Sequence, residues 1–399
     1  PPTGKPPYPL LSSMPDFCQI NHAWNHRVAV LANFLRRTTK QLRKIRAEGS
    51  AMHIEDYKRV GDYERIVRAY DPESGLKALI ALHNTRRGPA LGGCRMWPYK
   101  SEADALRDAK RLARGMTYKN ALADLPFGGG KSVIIGNPNT EKSEKRLLAM
   151  GRFVQSLNGA YTIAEDVGTT PDDMSVIRQE TSFVAGLAEG GSGDPSPATA
   201  WGVYQGILAA VRERFGHETL TGLTVAIQGL GHVGWHLARR LNEAGATLLV
   251  SDIDDKRVAE AHRNFGAVPV SPYRIYDVNA DILAPCALGA VINDDTLPRL
   301  KTKIVASSAN NQLAEDRHGA ELKAANILSA PDYAISAGGV INIYYEYCAA
   351  YDQKAAYKHI AGIGDTMESI FKRARRLDIP TNAAADHIAE DRFRALEAA

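Results

Sequence analysis

Three side chains have the types and spacing for acid–base work: Lys119 in "GMTYKNA", Lys131 in "FGGGKS" and Asp166 in "YTIAEDVGTT". The two lysines stand twelve residues apart across a glycine run. Two cations at one cleft divide the labour: one holds an anion, while a like charge and desolvation loosen the proton of the other. Asp166 follows a strand pattern, and the C-terminal end of a strand in an α/β sheet is where functional groups collect. Gly128, Gly129 and Gly130 carry no side chains, so a small molecule can approach the backbone beside Lys131. Each charge alone would be an ordinary solvated group. Their combination with a nucleotide fingerprint further along the chain gives them chemical meaning.

The stretch "LPFGGGKSVII" also imitates a phosphate loop, G-x-x-x-x-G-K-[ST], but the imitation fails twice. Leu125 stands where the first glycine belongs, and Lys131-Ser132 leads into a strand pattern rather than a helix. The better nucleotide site lies in "TVAIQGLGHVGWHLARRL", where an apolar strand runs into Gly229-Leu230-Gly231-His232-Val233-Gly234 and then a helix. Gly229 permits the tight turn, Gly231 admits a pyrophosphate to the backbone, and Gly234 lets the helix pack on the strand. The free N–H groups of that helix start favour an anion. A second strand pattern, "ATLLVSD", ends in Asp252, eighteen residues after Gly234. A carboxylate there accepts hydrogen bonds from ribose hydroxyls and repels a 2′-phosphate, which favours NAD over NADP although Lys256 and Arg257 lie close by. His232 and His236 are one helical turn apart, yet no third ligand accompanies them, so no metal is expected.

These residues need a layered scaffold. "ERIVRAYDPESGLKALIALH" reads as a hairpin around Asp-Pro-Glu-Ser-Gly. Ala105, Leu106, Ala109, Leu112, Ala113 and Met116 recur at helical spacing behind a Ser101/Asp104 start signal. Strand "KSVIIG", a helix near 144–157, strand "AYTIAE" and a helix after Pro171 follow. "AEGGSGDPSPAT", 188–199, is rich in turn residues and marks a domain junction. Beyond it come a helix over 199–214, the fingerprint, strand-like "ADILAPC", "KIVASSA" and "NILSAP", and about sixty residues of helical pattern. The alternation predicts an α/β fold of two domains, with an open parallel sheet in the second.

Composition excludes several classes. Hydrophobic residues make up 44% and charged residues 24% of 399, and no apolar run is long enough to span a membrane. Cys18, Cys94, Cys286 and Cys348 are scattered without metal-ligand spacing, which points to a reducing, cytoplasmic setting. The net charge of +4 is concentrated in residues 1–51, where eight Lys/Arg face two acids; the remainder is mildly acidic and gives no footprint for nucleic acid. That basic segment, "PPTGKPPYPL" followed by "VLANFLRRTTKQLRKIRAEG", reads as an extension, irregular or partly helical, with Met52 opening the patterned sequence.

"GPALGGCRMWPY", "LARGMTYKNALADLPFGGGKSVIIG", "AEDVGTTPDDM", "GSGDPSPATAWGVY", "GLGHVGWHLA", "PCALGAVIND" and "APDYAISAGGVIN" together resemble the glutamate, leucine, phenylalanine and valine dehydrogenase family from about Met52 onward. The resemblance is strongest to its leucine-specific members. It implies an N-terminal α/β domain over 52–187 that binds substrate and forms the oligomer, a Rossmann-type NAD-binding domain over 188–350, and C-terminal helices over 351–399 packing back across both. It also implies reversible NAD-dependent oxidative deamination of an L-amino acid to a 2-oxo acid and ammonia by a homo-oligomer. On this chain the resemblance makes Lys131 the catalytic lysine, which polarises the attacking water. Asp166 becomes the proton relay, and Lys119, with the backbone of Gly92 and Gly93, the carboxylate site. Thr199 and Asn310 fall near the nicotinamide. Leu91, Ala164, Val340 and Ile343 become an apolar side-chain pocket. Glutamate-specific members carry lysine at Leu91 and serine at Ile343, so glutamate is disfavoured here and leucine, isoleucine or valine expected. Phenylalanine or tryptophan is the alternative substrate, since "INIYYEY" departs from the leucine-type pattern; a non-catalytic NAD sensor is the alternative of another class. Ser307 stands where the family commonly has glycine.

Overall fold

The computed structural model describes residues 52–58, 60–187, 193–348 and 351–394. The basic extension over 1–51, residues 188–192 of the expected junction and residues 395–399 lie outside the described residues.

The first sheet contains β1 (His53–Asp56), β2 (Arg65–Asp71), β3 (Leu76–Asn84), β4 (Ala90–Trp97), β5 (Gly128–Ile135) and β6 (Tyr161–Glu165) in the order β1-β2-β3-β5-β4-β6. The expected hairpin is β2–β3, antiparallel. Its turn closes through Gly75 N donating to Asp71 O at 2.8 Å and Ser74 Oγ to Asp71 Oδ2 at 2.6 Å, with Gly75 in the left-handed region. β5 runs antiparallel to β3 and parallel to β4, and β4 is parallel to β6.

Helices cover both faces. α1 (Glu102–Leu122) starts where the Ser101 hydroxyl accepts from Asp104 N, and places Ala105, Ala109 and Ala113 against Ile66, Leu79, Ala81 and Val133. α2 (Glu144–Ser156) packs Leu147, Met150, Phe153 and Val154 against Val67, Ala78, Ile80 and Ile134 on the other side. Alternate residues of β3 therefore feed two different cores, which is why this strand is a continuous hydrophobic run. α3 (Pro171–Ile177) follows β6 behind a Thr170/Asp173 capping box with Pro171 in its first turn.

After α4 (Ser196–Phe215) comes a six-stranded sheet, parallel throughout: β7 (Thr224–Gln228), β8 (Thr247–Ser251), β9 (Val268–Pro269), β10 (Ile282–Pro285), β11 (Ile304–Ala306) and β12 (Leu328–Ala330). Its order is β12-β11-β10-β7-β8-β9. The chain proceeds from β7 to one side through α5 (His232–Glu243) and β8, and then, beyond α6 (Asp255–Phe265), returns to β10 on the other side. The crevice at the C-terminal ends of β7 and β10 is thus a topological switch point, the usual ligand position in such sheets.

α7 (Arg317–Ala324) precedes β12, and α8 (Asp332–Ile335), α9 (Gly338–Cys348), α10 (Gln353–Ala361), α11 (Ile363–Leu377) and α12 (Thr381–Arg394) end the described chain. α11 lies against α4, and α12 against α1. Arg392 Nη1 donates to Ala121 O at 2.9 Å and Leu122 O at 2.7 Å, while Phe393 meets Tyr118 edge-on at 5.8 Å. These contacts fix the C-terminal end of α1, where Lys119 sits.

One local expectation needs correction. Gly128, Gly129 and Gly130 do not precede the strand "KSVIIG" but open β5 itself, and the space beside them is filled by protein rather than left for a small molecule. Added Cβ atoms there would lie 2.1 Å from Asn84 O and 2.0 Å from Thr117 N at the first two, and 2.9 Å from the Tyr161 ring at the third. The glycines let α1, β3 and β6 close on the strand that carries Lys131.

Candidate active site

β4, β5 and the turn after β6 converge. Lys131 is buried on β5, and its Nζ lies 3.0 Å from Asp166 Oδ2. Arg95 on β4 donates from Nε to the same oxygen at 2.9 Å and from Nη1 to Asp108 Oδ2 at 3.0 Å. Tyr99 donates its hydroxyl to Asp108 at 2.7 Å. Burial alone would raise the Asp166 pKa, but Lys131 and Arg95 outweigh it and hold the carboxyl below its ordinary value. The turn itself is fixed by Thr169, whose hydroxyl accepts from Asp166 N at 3.0 Å and donates to Cys94 O at 2.8 Å.

Gly92 and Gly93 sit where side chains have no room. A Cβ on Gly92 would meet Gly130 O at 1.8 Å; one on Gly93 would meet Glu165 O at 2.6 Å, Asp166 Cβ at 2.8 Å and Lys131 Nζ at 3.1 Å. Tyr161 donates its hydroxyl to Gly92 O at 2.7 Å and so pins this strand.

Lys119, half-buried at the end of α1, donates to Asn310 Oδ1 at 3.2 Å and Ser336 Oγ at 3.1 Å. Burial lowers its pKa; Asp332 opposes the shift and the Lys131 charge adds to it. This departs from the expected division of labour: the loosened proton belongs there to the lysine that does not hold the anion, whereas burial assigns it to Lys119, the lysine read as the carboxylate holder. Asp332 is itself raised by burial, and accepts from Asn311 N at 2.8 Å.

Gly92, Gly93, Arg95, Lys119, Lys131 and Asp166 line one cavity of about 520 Å³, together with Asn310, Asp332 and Ser336. Leu91, Ala164, Val340 and Ile343 form an apolar stretch of its wall, with Thr199 and Val233 also on the lining. Val340 and Ile343 reach it because α9 packs tightly on α4: a Cβ at Gly338 would be 2.1 Å from Ala198 O, and one at Gly339 2.7 Å from Thr199 Oγ1.

The glycine fingerprint occupies the switch point. Gly229 has positive φ and would clash with Ala287 if it carried a Cβ, and Gly234 packs within 2.1 Å of Gly229 O by the same measure. Around Gly231 the space is open, the nearest atom being Arg257 Nη1 at 3.9 Å. α5 begins there without a side-chain cap, so its first N–H groups, from His232 and Val233 onward, face an accessible crevice. Asp252 Oδ2 accepts from Leu230 N at 2.5 Å, and Oδ1 from Asp254 N at 2.9 Å, which ties the carboxylate to the glycine loop. His236 pairs with Arg239 at 3.2 Å.

Residues 63–183 match the family described as Glu/Leu/Phe/Val dehydrogenase, dimerisation domain, and residues 190–256 and 253–376 match Glutamate/Leucine/Phenylalanine/Valine dehydrogenase. The chain belongs to this dehydrogenase family. It is 53% identical to leucine dehydrogenase of Geobacillus stearothermophilus over 87% of this chain and 95% of that one. It is 45% identical to phenylalanine dehydrogenase of Caldalkalibacillus thermarum, over 85% and 93%. Among solved structures, L-tryptophan dehydrogenase from Nostoc punctiforme superposes with a TM-score of 0.75 at 45% identity, covering 85% of this chain and 97% of that one.

In this amino-acid dehydrogenase the cavity gathers the residues that sequence reasoning singled out for substrate, and the fingerprint lies at the switch point. Sequence reasoning missed Arg95, Asp108, Tyr99 and Ser336. The signal for Arg95 was available: Leu91, Gly93 and Arg95 alternate along β4 and share a face. Asp108 and Ser336 carry no comparable mark.

Proposed function

We propose that this dehydrogenase carries out reversible oxidative deamination of leucine, isoleucine or valine to the 2-oxo acid and ammonia with NAD. The observation that carries this reading is a single cavity in which Lys119, Lys131 and Asp166 face an apolar wall of Leu91, Ala164, Val340 and Ile343. A glutamate side chain against that wall would bury a carboxylate without a partner, at a cost of several kcal/mol. The leucine dehydrogenases at 53% and 54% identity support the same substrate class.

Lys119, with the Gly92–Gly93 backbone, holds the substrate carboxylate; its present partners Asn310 and Ser336 are neutral and exchangeable. Asp166 takes a proton from the substrate nitrogen and returns it to departing ammonia. Lys131 polarises the water that adds to the imine carbon and stabilises the resulting carbinolamine. The open Gly231 backbone and uncapped α5 suit a pyrophosphate, and the Asp252 carboxylate suits ribose hydroxyls, so Gly229, Leu230, Gly231, His232, Val233, Gly234 and Asp252 would hold NAD, with Thr199 and Asn310 toward its nicotinamide. The nicotinamide supplies a hydride acceptor for the substrate Cα.

Residues 52–187 and 188–350 are assigned to substrate and cofactor respectively, with the last helices bracing α1. The dimerisation domain matched over 63–183 supports a homo-oligomer. The free Cys94 and Cys286 fit a reducing cytoplasm.

A panel of L-amino acids with NAD and with NADP, read as reduced-cofactor absorbance, tests the reading. Branched-chain substrates with NAD are expected to give the highest kcat/KM. Preference for phenylalanine or tryptophan would transfer the assignment to the aromatic alternative, and cofactor binding without turnover would favour the sensor.

A further inference from the structure

Asp166 is gripped by two cations, and only one of them has a task in the reaction just described. Lys131 Nζ and Arg95 Nε both make their closest approach at Oδ2, at 3.0 and 2.9 Å, so Oδ1 is the oxygen less engaged by the two cations. Arg95 is itself anchored. Its Nη1 donates to Asp108 Oδ2, which also accepts from the Tyr99 hydroxyl, and Arg111 Nη2 stands 3.5 Å from Asp108 Oδ1. Arg95, Asp108 and Asp166 are each mostly shielded from solvent, so the ion pairs are poorly screened.

We propose that Arg95 is a positioning residue: its guanidinium, anchored by Asp108 and Tyr99, fixes Asp166 through Oδ2 and so presents Oδ1 as the atom that exchanges a proton with the substrate nitrogen. This rests on the reading of Asp166 as the proton carrier. One proton leaves the nitrogen for Oδ1 and goes back to the departing ammonia; Arg95 itself gains and loses none. The division of labour follows from side-chain chemistry. A guanidinium stays charged across the working pH range, and its planar fork spans two carboxylates at fixed angles, which a single ammonium cannot do. Lys131 is then free to serve water and substrate without releasing the carboxylate. Asp108 keeps Arg95 from swinging toward either, and Tyr99 satisfies the lone pairs that Arg95 leaves.

The groups facing Asp166 set the expected titration. Lys131 and Arg95 favour its anion, Lys119 adds a weaker cationic field from α1, and Glu165, Tyr99, Cys94 and Tyr161 stand around it. Burial works against the anion. Removing Arg95 leaves Lys131 alone to oppose burial, so the Asp166 pKa rises, and an adjacent opposite charge is worth about 1–3 pH units to a carboxylate.

The test compares pH profiles of kcat/KM for oxidative deamination in the parent, Arg95→Gln, Arg95→Lys and Asp166→Asn, each checked by thermal melting. Arg95→Gln is expected to move the acid limb upward by about 1–2 units and lower kcat about tenfold while KM changes little. Arg95→Lys should restore the limb, because charge is kept, but not kcat, because the fork is lost. An Arg95→Gln profile that superposes on the parent, or on that of Arg95→Lys, overturns the proposal while a dead Asp166→Asn leaves the reading of Asp166 standing. A fully active Asp166→Asn instead removes that reading and the proposal with it. Should Arg95→Gln fail to fold, Arg95→Lys decides: kcat lowered at constant KM supports the positioning role, and parental kcat overturns it.

Discussion

Gly93→Ala perturbs the site by one methyl group. Its Cβ would stand 2.6 Å from Glu165 O, 2.8 Å from Asp166 Cβ and 3.1 Å from Lys131 Nζ. Ordinary van der Waals contact begins at 3.4 Å, so the turn after β6 must retreat by several tenths of an ångström to almost one. The lysine end can swing, but the Glu165 carbonyl is backbone beside the parallel β4–β6 pairing and can move only by carrying Asp166 with it. A misplacement of about 1 Å in a reacting group costs about a hundredfold in rate, or about 2.7 kcal/mol of barrier. The glycine fingerprint is not among the atoms that the new methyl meets. Steady-state kinetics with L-leucine, beside NADH binding followed by fluorescence, should show kcat down about a hundredfold with cofactor affinity within threefold of the parent. Parental kcat would refute the claim that Gly93 is required by the Asp166–Lys131 geometry. Equal loss of turnover and cofactor binding would show that the methyl group disrupts the fold rather than the site.

Ile343→Ala enlarges the space beside the apolar wall, and even one methylene of altered fit corresponds to about 10–200-fold in discrimination. The kcat/KM ratio of leucine over phenylalanine should fall at least tenfold; an unchanged ratio would remove Ile343 from the specificity wall. Burial pushes the pKa values of His83 and His359 below the ordinary value of about 6.5. The unfolded chain then takes up protons that the folded one refuses, so stability is full above pH 6.5 and declines as pH falls through it. Thermal midpoints at pH 8 and pH 5.5 should show that decline, and His83→Gln should reduce it; a slope unaltered by His83→Gln would assign the loss to other groups.

Much of the scaffold was readable because it follows local rules. The Asp-Pro-Glu-Ser-Gly turn, the Ser101 cap and the Gly229–Gly234 loop each depend on residues within one turn or one strand–helix unit. Gly128–Gly130 misled because absent side chains suggest room for a small molecule, whereas here α1, β3 and β6 approach β5 so closely that only glycine fits. Arg95 could be placed by its alternation with Leu91 and Gly93, but the anchor it forms with Asp108 and Tyr99 was invisible for a different reason. Its members lie on a strand, a helix and the segment between, and ordinary surface arginines and aspartates have the same local sequence appearance. The bond from Lys119 to Asn310 and Ser336 spans some two hundred residues of chain, a convergence that only the folded topology creates.

Lys131 as the catalytic lysine of an amino-acid deaminating site is the central proposal. The most direct test is NADH formation from L-leucine by the parent and by Lys131→Ala with a matched thermal midpoint. Rapid turnover by the parent and a loss of at least a thousandfold in the variant, about 4 kcal/mol of transition-state stabilisation, are expected, with NADH still bound. A folded Lys131→Ala that deaminates leucine at the parental rate would contradict that proposal.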